Sequence, residues 1–118
     1  MIPSLEQVIG AHTFIARRYD LRSPRNDAAL DLAQREATSL AADANDEPAA
    51  LFFAFARRGK ALGDAWALLT DLLTLNQIAS LGLRFVEERS DLRPLRTSIA
   101  QRAVSFPDVR EWFAARLK

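Results

Sequence analysis

The chain has 118 residues, of which 49% are hydrophobic and 26% are charged. Such a chain is long enough for one domain with its own apolar core, and its composition excludes an intrinsically disordered protein. The formal net charge of +1 supplies no general field for attracting DNA or RNA. The absence of cysteine excludes disulfides and thiol catalysis.

The first two helices are predicted from capping residues and apolar spacing. Ser4 followed by Gln7 forms a capping-box pattern, so the first helix should run from about Ser4 to Tyr19. A loop over 21–25 follows, and Asn26 or Asp27 should cap the second helix. The second helix carries a narrow apolar stripe that consists of Leu30, Ala33, Ala37, Leu40 and Ala41.

The third helix should open at Asp46 or Glu47, with Pro48 in its first turn, where proline loses no hydrogen bond. Residues 49–56 are all apolar, and Gly59 fits the C-terminal end of this helix. The pattern therefore predicts a helix that is apolar on nearly every side.

The fourth helix should be capped by Asp64 and run to about Leu81. Its apolar residues cover most of its circumference, and a helix of that kind is usually buried. We therefore predict that the fourth helix is the central element of the fold. The residues that carry this prediction are Leu68, Leu69, Leu72, Leu73, Leu75 and Ile78.

The C-terminal third should add two shorter helices. Residues 83–89 are compatible with a strand-like stretch or a short helix. Pro94 is predicted to open a helix containing Leu95, Ile99 and Val104, and Ser105 with Asp108 forms a second capping box. The last helix has a stripe of Val109, Trp112, Phe113 and Leu117.

Together these elements predict an all-α fold in which residues 1–118 form a single-domain bundle of five to seven helices around the fourth. No signal-peptide pattern occurs at the N-terminus, and no apolar run approaches the ~18 residues of a membrane span. We therefore expect a cytoplasmic bacterial protein without membrane contact.

His12 is the one histidine, and it lies on the apolar stripe of the first helix. An imidazole can serve as a general base near neutral pH, but no nucleophile stands beside this one in sequence. Because an unpartnered buried polar group is costly, we interpret His12 as a structural residue hydrogen-bonded to backbone or a carboxylate. We expect no metal site, since zinc would here have to use carboxylates.

The densest basic cluster consists of Arg57, Arg58 and Lys60, just before the predicted start of the fourth helix. Backbone N–H groups and the helix dipole can hold an anion at such a position. Asp64 opposes this reading, because a capping carboxylate would repel phosphate. The alternative is a solvated turn, which is the usual setting of short charge clusters.

Several segments, taken in order, resemble Doc-type proteins of the Fic/Doc (Fido) family. Residues 3–12, PSLEQVIGAH, with 15–19, IARRY, are similar to the opening helix of those proteins. Residues 25–30, RNDAAL, resemble the start of their next helix, and 49–58, AALFFAFARR, the helix that leads into their catalytic motif. The end of their central helix and their C-terminal helix pair are matched by residues 81–83, 98–100, Trp112, Phe113 and Leu117.

The resemblance implies a Fido-like fold and, in active members, transfer of a nucleotide monophosphate or a phosphate onto a protein hydroxyl. Those members carry a His-Pro-Phe-x-Asp/Glu-Gly-Asn-Lys/Arg-Arg stretch that supplies the base, the metal ligand and the phosphate clamp. Here Gly59 stands in place of the histidine and Gly63 in place of the acid, followed by Asp64. The places of the asparagine and the two basic residues are taken by Ala65, Trp66 and Ala67.

No catalytic residue can therefore be transferred from the family to this chain, and we expect no bound cofactor. We interpret the chain as a catalytically inactive Fic/Doc-like domain that acts as a protein-binding, regulatory or relic toxin–antitoxin component. The resemblance implies a small antitoxin-like partner. Two alternatives remain: a divergent nucleotide-dependent enzyme with an altered phosphate-binding loop, and an unrelated helical dimerisation domain.

Overall fold

Six α-helices account for the secondary structure of the computed structural model, which describes residues 1–118. Three short 3-10 turns, at Ala44–Asp46, Gly59–Leu62 and Arg89–Asp91, join them, and no strand is formed. The radius of gyration is 13.0 Å, as expected for one domain of this length. The all-α, single-domain prediction is confirmed. The helices are α1 (Leu5–Arg18), α2 (Asp27–Leu40), α3 (Glu47–Arg58), α4 (Trp66–Ser80), α5 (Leu92–Ala100) and α6 (Phe106–Ala114).

Polar side chains begin α1, α2 and α6 as the sequence predicts. Ser4 Oγ accepts from the N–H of Gln7 at 3.2 Å, and the Gln7 side chain accepts from the N–H of Ser4 at 2.8 Å. Asn26 accepts from the backbone of α2 at 3.1 Å. Asp108 accepts from the N–H and the hydroxyl of Ser105. These bonds satisfy N–H groups that have no partner inside a helix.

The buried central helix is α3, so the prediction that the fourth helix is central is wrong. Ten of the twelve residues of α3 are buried, and the helix packs against α2, α4, α5 and α6. Leu51 and Phe55 face a core shared with α1, α2 and α4, whereas Phe52 and Phe53 face a second core built with α5 and α6. The helix therefore lies between the two cores and packs against both of them.

Helix α4 contributes Leu69 and Leu73 to the first core and Ile78 to the second, but it is less enclosed than α3. Leu69 and Leu73 are buried, but Leu68, Leu72 and Leu75 are only half-buried. Thr70, Asp71, Thr74 and Gln77 are buried on the same helix, so polar residues occupy part of its protein-facing side. Counting apolar residues could not distinguish a helix surrounded by protein from one that exposes a leucine face.

Residues 83–88 form neither a strand nor a helix, although their sequence is compatible with either. A short 3-10 turn begins at Arg89. Phe85 makes an isolated antiparallel bridge with Leu117, which ties this segment to the C-terminus. Helix α5 begins at Leu92, two residues before the predicted Pro94, and Val104 lies beyond its end. Pro94 fits the first turn, because backbone N–H groups there have no intrahelical acceptor and the lack of one costs no hydrogen bond. No helix is long and apolar enough to cross a membrane.

Because α3 belongs to both cores, we expect Phe55→Ala to lower the free energy of unfolding by about 3–5 kcal/mol. Phe55 is completely buried. Leu32→Ala on α2 is the matched control, because Leu32 is 56% exposed and its truncation should cost less than about 0.5 kcal/mol. Urea unfolding followed by circular dichroism measures both. Equal costs at the two positions would contradict the central placement of α3.

Candidate functional site

The segment between α3 and α4 is the place where the family resemblance puts a catalytic motif. A single 3-10 turn leads to Gly63, whose φ of 95° is a conformation that favours glycine. The loop before α2 holds this segment at two points. Asn26 donates to the carbonyl of Ala61 at 3.1 Å, and the N–H of Asp64 donates to Ser23 Oγ at 3.1 Å.

Asp64 does not cap α4, which corrects the prediction. Ala65 occupies the capping position, no side chain bonds to the first turn, and the Asp64 side chain is exposed. Asp64 instead uses its backbone N–H to join the loop at Ser23. The carboxylate is therefore a surface charge beside the helix end and not a ligand of its N–H groups.

The predicted basic cluster is divided by the structure. Arg58 Nη1 donates to Glu36 Oε1 at 2.6 Å and to the carbonyl of Ala54 at 3.0 Å. Arg57 Nη1 lies 3.4 Å from the other oxygen of Glu36. Both arginines are therefore paired with one carboxylate on α2, while Lys60 is exposed on the loop side. A phosphate would have to displace Glu36 to engage the two guanidinium groups.

The remaining motif positions carry no acid–base or metal-binding chemistry. Gly59 and Ala65 are buried, and Ala67 is half-buried. Trp66 begins α4 and lies against the guanidinium of Arg96, at 5.8 Å from the ring centroid. No group of three or more histidine, cysteine, aspartate or glutamate side chains is placed to hold a metal ion.

His12 is 5% exposed, and its Nε2 has no hydrogen-bond partner. The expected bond from this nitrogen to backbone or a carboxylate is therefore absent. Burial is the largest cause of a lowered pKa for the imidazole, the charge of Arg25 lowers it further, and Asp27 opposes both. The side chain is consequently a neutral imidazole near pH 7.

An open cleft of about 390 Å³ lies beside His12, between α1 and the loop before α2. Arg17, Asp20, Ser23 and Arg25 contribute to its walls. No sequence pattern groups these residues, because Ser23 and Arg25 lie in a segment for which the sequence predicts only a loop. Glu36, on α2, has no local sequence signal either, because its pairing with the arginines of α3 depends on how the two helices pack.

A second surface is apolar and lies between α1 and α4. Phe14 is 62% exposed and Tyr19 is 54% exposed, although both are large aromatic side chains. They line an indentation of about 120 Å³, which is smaller than a typical small-molecule pocket. The other walls are Ile15, Leu68, Leu72, Leu75 and Arg89. We call this surface the α1–α4 groove.

Comparison with known proteins adds no relative. No protein-family model matches the chain, and no curated protein matches it. The likeness to the Fic/Doc family therefore rests on the order of the short segments in the sequence.

The lowered pKa of His12 predicts a pH-dependent stability. The unfolded chain binds a proton near pH 6.5, whereas the folded chain binds it only at lower pH. Protonation therefore favours unfolding, and stability due to this group is lost as the pH falls through 6.5 towards the folded pKa.

The measurement compares unfolding free energies at about pH 7.5 and about pH 5.5 for the wild type and for His12→Gln. Carboxylates other than Asp27 contribute equally to both proteins, and the charge of His12 is one cause of the lowered pKa of Asp27. The difference therefore reports the imidazole together with its coupling to Asp27. We expect the wild type to lose more stability than the variant on acidification. An identical loss in the two proteins would show that the imidazole titrates normally.

Proposed function

We propose that this chain is a Fic/Doc-like helical domain without the family's catalytic machinery, and that it acts by binding another protein. Two features of the motif segment support the loss of chemistry. Gly59, Gly63 and Ala67 offer no functional side chain where a base, an acid and an arginine clamp would stand. The two guanidinium groups that directly precede this segment, those of Arg57 and Arg58, are paired with Glu36.

The observation that carries the binding proposal is the α1–α4 groove. Phe14 and Tyr19 expose more than half of their surface, and neighbouring large apolar side chains make a continuous patch rather than scattered contacts. Isolated exposed apolar residues are ordinary, but a contiguous patch marks an interaction surface. An indentation of 120 Å³ suits individual side chains of a partner better than a cofactor.

The occupant that best fits the groove is an amphipathic helix with an acidic polar face. On α4 the half-buried leucines are spaced at i, i+4 and i+7, so they form one apolar ridge along the groove. Arg89 lies in the groove wall, and Arg17 and Arg18 flank Phe14. None of these three arginines has a carboxylate within ion-pair distance, so they remain available to a partner. An apolar helix face with flanking carboxylates would satisfy both features.

The direct test uses a synthetic amphipathic peptide with leucines at i, i+4 and i+7 and glutamates on its polar face. Fluorescence anisotropy should show binding that weakens with added salt, because charge pairs at the rim are screened. We expect Phe14→Ser to weaken binding about tenfold or more, which corresponds to about 1.4 kcal/mol. Leu32→Ser should leave it unchanged, since Leu32 is an exposed leucine outside the groove.

A peptide with lysines in place of the glutamates serves as the charge control and should bind more weakly. Circular dichroism establishes that each variant is folded. Equal effects of Phe14→Ser and Leu32→Ser, or no binding of the acidic peptide, would contradict the proposed partner. Sedimentation of the protein alone as a dimer that Phe14→Ser dissociates would assign the groove to a second copy instead.

A further inference from the structure

Gly10 lies in the middle of α1, where glycine is unfavourable. Glycine inside a helix destabilises it relative to alanine, because the glycine backbone loses more conformational freedom on folding. The other three glycines, Gly59, Gly63 and Gly82, have positive φ angles, which favour glycine. Gly10 has no positive φ and lies within the regular helix. Its backbone conformation therefore does not require glycine.

The packing of the chain does not require glycine at this position either. A Cβ added to Gly10 would meet nothing within 4 Å beyond the neighbouring backbone of α1. By contrast, a Cβ added to Gly63 would lie 3.2 Å from Ser23 Oγ. Gly10 is also exposed to solvent. The helix would accept alanine without a clash, so the glycine serves no contact inside the molecule.

An open notch lies over Gly10 on the solvent-exposed side of α1. It has a volume of about 410 Å³ and is lined by Gly10, Thr13, Phe14, Arg17 and Arg18. Phe14 is a wall of both this notch and the α1–α4 groove. A segment that leaves the groove across Phe14 therefore reaches the backbone of α1 at Gly10.

The charge of the notch indicates the chemistry of its occupant. Arg17 and Arg18 are both exposed, and no acidic residue lines the notch. The guanidinium group of Arg18 lies over the ring of Tyr19, which leaves its N–H groups free to donate. Asp20 lines a different cleft and lies 3.7 Å from Arg22. Carboxylates are the groups that guanidinium N–H donors bind best in a protein partner.

We propose that the acidic helix in the α1–α4 groove crosses α1 at Gly10 and that its carboxylates bind Arg17 and Arg18. At the crossing point the partner lies closer to the α1 backbone than a side chain at position 10 would permit. This inference rests on the proposed protein-binding function and extends the contact surface beyond the groove. Gly10 then lowers the stability of the free protein and permits the close approach of the partner.

Substitutions at Gly10 separate stability from binding. Gly10→Ala and Gly10→Gln should both raise the midpoint of thermal unfolding by about 2–6 °C, because both residues favour a helix. Gly10→Gln also fills the notch and should weaken binding of the glutamate-bearing amphipathic peptide about tenfold. The matched control is Ala28→Gln, since Ala28 is an exposed small residue on α2 outside the notch and the groove. It should leave peptide binding unchanged.

The charge contact is tested with a second peptide that carries glutamines in place of the glutamates. This change should weaken binding to the wild type more than binding to the Arg17→Gln, Arg18→Gln double variant. Equal weakening in the two proteins would overturn the assignment of the carboxylates to these arginines.

The results distinguish this inference from the proposed function. Failure of the acidic peptide to bind the wild type contradicts both. Binding to the wild type and equally tight binding to Gly10→Gln contradict only the crossing at Gly10 and leave the groove as the binding surface. A lower unfolding midpoint in Gly10→Ala also overturns the inference, because it would show that the chain itself requires glycine there.

Discussion

Enclosure of α3 by four other helices is the constraint on which the rest of the structure depends. Phe52 and Phe55 are completely buried, yet they point into different cores. The helices around α3 therefore cannot shift independently, because each half of the molecule packs against the same central element. Ring contacts reinforce this arrangement: Phe52 meets Phe113 of α6 edge to face, with their centroids 5.4 Å apart.

The same packing determines which partners the charged residues at the C-terminal end of α3 have. Its two arginines emerge against α2, where Glu36 pairs with both of them. Charges that look like an anion site in sequence are thus part of the α2–α3 contact. The segment that follows is anchored to the loop before α2 at Ala61 and Asp64, and its charged side chains, Lys60 and Asp64, are exposed to solvent. The unpartnered imidazole of His12 and the exposed apolar surface lie instead along α1, at the cleft beside His12 and at the α1–α4 groove.

The helices were predictable because their signals are local. Ser4, Asn26 and Ser105 begin helices through bonds to residues three positions away, which a sequence displays directly. The choice of central helix was not predictable, since α3 and α4 are both rich in apolar residues and only packing reveals which one is enclosed. The position of Asp64 predicts a helix cap, but in the structure its N–H bonds to Ser23, 41 residues away in sequence.

The candidate sites were predictable only in part. The residues that differ from the resembled Fic/Doc motif can be read from the sequence, because the identity of a side chain needs no geometry to establish it. The partner of Arg58 lies 22 residues away, and the cleft beside His12 is lined by α1 and by the loop before α2, so neither has a local signal. Phe14 stands outside the apolar stripe of α1, but its place beside the leucines of α4 emerges only from the α1–α4 packing.

We propose that this domain binds another protein and does not catalyse transfer of a nucleotide or a phosphate. The most direct test of this proposal incubates the protein with magnesium and a bacterial lysate, using ATP labelled at the α-phosphate in one reaction and at the γ-phosphate in another. The two labels report transfer of a nucleotide monophosphate and of a phosphate. Arg35→Ala is the matched control for loss of a surface arginine, since Arg35 is exposed and pairs only with Asp31 on α2. We predict no new labelled band with either label. A new band that persists in Arg35→Ala and disappears in the Arg57→Ala, Arg58→Ala double variant would contradict the account and establish an enzyme with an altered phosphate-binding loop.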